Sequence, residues 1–271
     1  MTTDKTRFDL TQYPLPKGAE GKTFFDKSPG FVKLRRAFRQ TTEDHTVGLL
    51  WGDAGVGKTT ALRHLTGELP RPDHNVLYVC NTTGSPLDLY RGIAGEIGVK
   101  PSHRRGQLFV DIKKTLVHMV DERAVAPVIV IDEAHHLSDA FLRDVAGFLN
   151  FAFDSRDLMT MWFVGLPPLA KRLQMQQHEA LRTRIGLEIH LEALDRTTFV
   201  AAVEHAFKAA GATQKILSDP AVELLFRASR GVLRSASKIL RTSIRIAHDK
   251  GQAFLDEHVL EAALEELGGQ K

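Results

Sequence analysis

Short apolar runs separated by helix-length stretches limit what this chain can fold into. Val47–Trp51, Val76–Val79, Val128–Ile131 and Thr160–Val164 are each bounded by turn residues, and Ile189–Leu191 reads as a fifth run. Between them apolar residues recur at helical spacing: Leu87, Tyr90, Ile93 and Ile97, then Leu108, Ile112 and Leu116, then Phe141, Leu142, Val145 and Phe148. A strand with no polar face must be covered on both sides, and a parallel pair needs a crossover long enough to be a helix. The predicted fold is therefore α/β, with a five-stranded parallel sheet flanked by helices.

Beyond about Glu192 the strand signals stop and helices with readable ends follow. Phe199, Val203 and Phe207 are closed by Gly211; Ser218 or Asp219 caps a helix with Pro220 in its first turn; Asp256 caps a run stopped by Gly268. The expected domains are an N-terminal arm with a short helix (1–45), the α/β domain (46–191) and a helical domain (192–271). The arm carries nine basic and four acidic side chains within its first 40 residues, together with several prolines, which suits a clasp on a neighbouring subunit or on DNA.

At 43% hydrophobic and 25% charged residues, disordered, collagenous and fibrous classes are excluded. Cys80 is the only cysteine and has no internal disulfide partner. No apolar stretch reaches membrane-spanning length, and the polar N-terminus lacks a signal-peptide core. The expectation is a reduced, cytoplasmic protein without a membrane partner.

Gly52-Asp53-Ala54-Gly55-Val56-Gly57-Lys58-Thr59 fits G-x-x-x-x-G-K-[ST] between an apolar strand and a helical pattern that begins with Thr60, Leu62 and Leu65. Glycines let such a loop curl its N–H groups toward phosphate oxygens, and the following helix adds its positive end. Gly52 through Thr60 are the expected ATP-binding residues, with Lys58 reaching the β- and γ-phosphates and the Thr59 hydroxyl on Mg²⁺. Val128–Ile131 then ends in Asp132-Glu133. In a parallel sheet both motifs emerge at the carboxyl edge. Asp132 is expected to hold Mg²⁺, partly through water, and Glu133 to orient or deprotonate the attacking water.

Asp132-Glu133-Ala134-His135 also spells the box of one helicase class, but such helicases need a second nucleotide-binding-type domain and only about 80 helical residues follow. His135 and His136 lack helical i, i+4 spacing and a nearby cysteine, so zinc is not expected there.

The order of these motifs, with Met161–Val164 followed by Gly165-Leu166-Pro167, then Leu181-Arg182-Thr183-Arg184-Ile185 and Gly231-Val232-Leu233-Arg234, resembles AAA+ ATPases over about residues 30–267. It is most similar to the branch of ExeA-type secretion ATPases and transposon helper ATPases of the MuB, TniB and TnsC kind. The resemblance implies a P-loop AAA+ core followed by an all-helical lid. It implies an arginine finger at Arg184, with Arg182 as competitor, and a sensor arginine at Arg234 that contacts nucleotide. A polar sensor is common after the fourth strand, where Leu166 stands here; Asn150 is an alternative for that role.

The resemblance further implies ATP hydrolysis with Mg²⁺ and self-assembly into a ring or helical filament of about six subunits per turn. Duplex DNA would be bound without sequence preference, and a transposase recruited or activated. Arg104, Arg105, Lys113 and Lys114 are the DNA-contact candidates. The stripe Arg234, Lys238, Arg241 and Arg245 shares one helical face that solvation explains as well. Two alternatives stand beside this reading. One is an ExeA-like protein-assembly ATPase, which would need membrane and cell-wall-binding parts where this chain ends at Lys271. The other is a helicase-loader-type ATPase.

Overall fold

The computed structural model describes residues 8–80 and 85–268. It divides into two compact units: a sheet unit of Val32–Asp53 and Ala61–Leu191, and a helical unit that joins the segment through Phe31, the loop Ala54–Thr60 and the chain from Glu192.

The sheet unit contains β1 (Val47–Trp51), β2 (His74–Val79), β3 (Ala126–Ile131), β4 (Thr160–Gly165) and β5 (Ile185–His190). They pair in the order β2-β3-β4-β1-β5, and every pairing is parallel. Helix α1 (Pro29–Glu43) precedes the first strand, and α2 (Lys58–Gly67), α3 (Pro86–Glu96), α4 (Arg105–Asp121), α5 (Asp139–Phe148), α6 (Pro167–Leu173) and α7 (Glu179–Arg182) lie in the connections between strands. The central β4 is buried at all six positions, as its unbroken apolar sequence requires.

The fifth strand starts four residues earlier than its sequence signal. Ile185, Leu187 and Ile189 alternate with the exposed Gly186, Glu188 and His190, the pattern of an edge strand with one covered face. At the middle of the sheet Gly48 lets β1 lie against Trp162 of β4: a Cβ there would stand 2.5 Å from the indole. Trp162 is fully buried, stacked on Phe38 at 6.0 Å, and its Nε1 donates to Thr41 Oγ1 at 3.1 Å.

The helical unit comprises α8 (Arg196–Ala209), α9 (Asp219–Ser229), α10 (Leu233–Asp249) and α11 (Glu257–Glu266). Asp195, Ser218 and Asp256 accept N-cap hydrogen bonds at 2.9, 3.2 and 2.9 Å, which settles the second cap on Ser218. Gly231, at φ +74°, lies so close to Leu194 that a Cβ would meet its carbonyl oxygen at 2.1 Å.

The N-terminal segment corrects an expectation. Phe8 and Leu10 are buried in the same core as Phe199, Leu225, Leu240 and Leu260. Thr11 N donates to the Ala210 carbonyl at 2.8 Å, Ser237 Oγ donates to the Leu15 carbonyl at 2.7 Å, and the Arg241 guanidinium lies 5.1 Å from the Tyr13 ring centre. Residues 8–15 are thus committed to the chain's own helices, where apolar burial holds them, rather than offered to a neighbour or to DNA. Residues 1–7 of the expected arm lie outside the described residues.

Candidate nucleotide-binding site

Parallel strands align their carboxyl ends, and β1 and β3 deliver Gly52 and Asp132 to one edge of the sheet. The Gly52 amide donates to the Gly165 carbonyl of β4 at 3.3 Å, which anchors the start of the loop. From there Asp53 and Ala54 are exposed, Val56 is buried, and α2 begins at Lys58 with Thr59 and Thr60 in its first turn. Gly55 (φ +86°) and Gly57 (φ +106°) adopt left-handed backbone that side chains disfavour. A Cβ on Gly57 would meet nothing within 4 Å, so its glycine serves conformation; one on Gly55 would meet Arg234 Cβ at 2.9 Å. The curled loop and the ten-residue helix behind it have the form that holds anionic oxygens.

Arg234 sits against this loop within the helical unit. Its amide donates to the Gly55 carbonyl at 3.3 Å, and its side chain is exposed. Of the stripe that follows, Arg241 packs on Tyr13 and Arg245 pairs with Glu266, while Lys238 is exposed.

Asp132 is 4% exposed. Its Oδ1 accepts from the Glu133 amide at 2.8 Å, and its Oδ2 accepts from the Tyr78 hydroxyl at 2.8 Å. Burial, reinforced by the Asp132 carboxylate, pushes the Tyr78 phenol above its ordinary range, so Tyr78 is a fixed donor. Sequence reading missed Tyr78; its β2 position beside β3 was the available signal, because strands two and three pair in register. The Asp132 carboxylate suits Mg²⁺, a hard cation that takes oxygen ligands.

Glu133 is exposed and has left-handed backbone, φ 52° and ψ 33°. A single 3-10 turn, Ala134–His136, follows. Together they bring the ligand atoms of Glu133, His135 and His136 within 4.8 Å of one another, which corrects the spacing argument against such a cluster. That argument applied α-helical periodicity to a segment with another geometry.

Arg184 occupies the opposite edge. It immediately precedes β5, whose first residue pairs with Val47 at the start of β1. A five-residue strand spans about 16 Å, so Arg184 is separated by roughly that length from the edge bearing Gly52 and Asp132. Its guanidinium is bound to Asp154 at 2.7 and 2.9 Å and holds that carboxyl below its usual range. Arg182, at the end of α7, is exposed. A cavity of about 770 Å³ opens here, lined in part by Arg184, Asp154, Arg143, Asn150 and Val47. Asn150 therefore belongs to the amino edge, and its Oδ1 accepts from the Asp154 amide at 3.1 Å, so it does not stand beside the loop as a phosphate sensor. Leu166, by contrast, does follow β4 at the carboxyl edge, where it caps the N-terminus of α6.

The four basic residues around α4 do not form one patch. Arg105 is paired with Asp144, which also accepts from Tyr90 at 2.7 Å. Lys113 donates to the Asn150 carbonyl and stands 4.2 Å from the Phe151 ring centre; burial, with Arg184 nearby, lowers its pKa. Arg104 and Lys114 are exposed.

A parallel sheet in this order, with a Gly-Lys-Thr loop after β1 and Asp-Glu after β3, defines the AAA+ P-loop ATPase fold. Residues 40–173 match the family model described as AAA domain, and that segment is an AAA domain. It is 27% identical over 224 residues to general secretion pathway protein A of Aeromonas hydrophila, covering 82% of this chain and only 40% of that protein's length. Among solved structures, Cdc6p from Pyrobaculum aerophilum superposes with a TM-score of 0.70 at 16% identity, over 97% of this chain and 71% of that one. ORC1 from Aeropyrum pernix, solved in complex with DNA, gives 0.67 at 17% identity, over 96% and 69%. The RuvB Holliday junction branch migration motor of Thermotoga maritima gives 0.57 at 18%, over 92% and 72%. No helix among the described residues is long and apolar enough to cross a membrane.

Proposed function

We propose that the chain binds and hydrolyses MgATP, with the nucleotide's phosphates taken by Gly52–Thr60 and the cation by Thr59 and Asp132. The observation that carries this reading is the common carboxyl edge from which the glycine loop and the Asp132-Glu133 pair depart. Lys58 neutralises phosphate charge, and Asp132 is held by Tyr78 and by its neighbour's amide so that its carboxylate keeps one orientation. Mg²⁺, when bound, supplies charge neutralisation across the β- and γ-phosphates. Glu133 accepts a proton from the attacking water or aligns it, and Arg234 reaches the nucleotide from the helical domain, residues 192–271, acting as a lid on the domain of residues 46–191.

Arg184 serves a neighbouring copy. Its place at the amino edge supports action in trans, because it stands a full strand length from its own loop. The chain therefore works as a ring or helical filament. We further propose that assembly takes place on duplex DNA through phosphate contacts made by exposed side chains such as Arg104 and Lys114. The filament then recruits or activates a transposase, and hydrolysis releases it. The DNA-bound state of one structural neighbour supports this reading.

A second reading has comparable support. Similarity to the secretion protein of Aeromonas hydrophila favours an ATPase that assembles a protein complex without DNA.

Filter retention of labelled duplex with a non-hydrolysable ATP analogue separates them. The DNA reading expects retention whose log K falls with log salt by about 0.9 for each phosphate neutralised. No retention at low salt, by protein that binds nucleotide, overturns the DNA reading and leaves the assembly ATPase. A helicase captured in place of a transposase from the DNA-bound complex identifies a loader. Glu133→Gln tests the chemistry separately: it keeps ATP and accumulates assembled complexes, and hydrolysis at the parental rate refutes the role of Glu133.

A further inference from the structure

We propose that Glu133, His135 and His136 form a binding site for a single zinc-class transition metal ion, distinct from the magnesium site at Thr59 and Asp132, and that its occupancy switches hydrolysis off. The inhibitory half of this inference rests on the proposed role of Glu133; the binding half does not.

The three ligand atoms lie within 4.8 Å of one another. Zinc holds nitrogen and oxygen ligands at about 2.0–2.2 Å, so adjacent ligands in a tetrahedral site are separated by about 3.3 Å. Glu133 Oε2 and His135 Nδ1 stand 3.5 Å apart, close to that edge length. The His135 and His136 rings, 4.0 Å between centres and inclined by 40°, present both imidazoles side by side, and His136 is exposed and able to turn. Two imidazoles and one carboxylate form a donor set that suits zinc, and the remaining position stays open to water, as in sites that do not simply brace a fold.

The turn is held from behind. Arg172 of α6 donates to the His135 carbonyl at 3.4 Å and to the Leu137 carbonyl at 2.6 Å. Gly165 backs onto the turn, where a Cβ would stand 3.2 Å from the His135 amide. These contacts fix the backbone that carries the ligands, which reduces the ordering cost of binding. A metal held here takes the Glu133 carboxylate as a ligand and denies it the proton of the attacking water. Magnesium, which prefers oxygen ligands and retains its waters, has little claim on an imidazole pair.

The test uses the full chain, without nucleotide, titrated with Zn²⁺ by calorimetry and with Co²⁺ by visible absorption. One equivalent of zinc binds, and cobalt develops the visible bands of a low-symmetry, four-coordinate site. His136→Ala and His136→Gln each weaken zinc binding by about tenfold or more and abolish the cobalt bands. With MgATP present, zinc lowers the parental rate but leaves either variant close to its own zinc-free rate. No binding by the parental chain overturns the proposal. So does binding that the His136 variants retain, or zinc inhibition equal in parent and variants, which reports exchange with magnesium at the nucleotide. Zinc binding lost in the variants while the parental rate ignores zinc upholds the site and refutes the assignment of Glu133 as the water-activating group.

Discussion

Gly48→Ala is expected to destabilise the sheet unit through one contact. The new methyl carbon would lie 2.5 to 2.6 Å from three atoms of the Trp162 indole. Ordinary carbon contacts begin near 3.4 Å, so one partner must yield by almost 1 Å. The indole is poorly placed to do so, because it is fully buried, stacked on Phe38 and tied to Thr41 through Nε1. Overpacking costs about 1–3 kcal/mol, and three such contacts with a ring that cannot move put this case in the upper half, about 2–3 kcal/mol. Replacing glycine in a strand returns about 0.5–1 kcal/mol, leaving a net loss of about 1–2 kcal/mol. For a unit of this size that lowers the thermal midpoint by roughly 2–8 °C. Denaturation of Gly48→Ala, Trp162→Phe and the double variant forms a cycle that isolates the contact. The penalty of Gly48→Ala should shrink when the smaller ring replaces the indole. Stability within about 0.5 kcal/mol of the parent, or an equal penalty in both backgrounds, refutes the close packing of β1 on β4.

Three further outcomes address the site and the helical unit. Arg184→Ala keeps nucleotide affinity and loses about 10³-fold or more in turnover; mixing it with Lys58→Ala restores hydrolysis if the arginine acts on a neighbour, and no recovery in assembled mixtures refutes action in trans. Leu10→Ala, in a side chain 4% exposed, costs the helical unit about 2–5 kcal/mol in urea unfolding, whereas an arm reserved for another molecule would show almost no change. On DNA filters, Arg104→Ala and Lys114→Ala each reduce the salt slope by about one, while Arg105→Ala leaves it unaltered because its guanidinium is already engaged by Asp144; an equal fall for all three refutes that distinction.

β1, β3 and β4 were legible because burial on both faces leaves an unbroken apolar run, whereas β2, an edge strand that exposes Val76 and Tyr78, was legible because its outward residues are apolar as well. β5 was legible only at its end, since an edge strand exposes every second residue and Gly186 and Glu188 interrupt the signal. The Gly-Lys-Thr loop and the Asp-Glu pair could be read because local sequence dictates their backbone. Tyr78, Asp154 and Asp144 could not, since their partners lie 54, 30 and 39 residues away along the chain and meet them only through strand order and helix packing. Arg105 and Lys113 looked like free cations for the same reason: sequence displays charge and conceals its neutralisation. The closeness of Glu133 to the histidine pair could not be read either, because the left-handed residue at Glu133 redirects the chain and nothing in residue type alone announces that bend.

The burial of Phe8 and Leu10 among helices that begin near residue 196 has a consequence for biosynthesis. While the ribosome is still translating, the sheet can complete itself once β5 has emerged, but the early segment must wait for its hosts. Two greasy side chains remain without cover for most of elongation, a period in which nascent chains are prone to improper association. The later helices then do more than pack on one another: they cover two side chains that left the ribosome long before them.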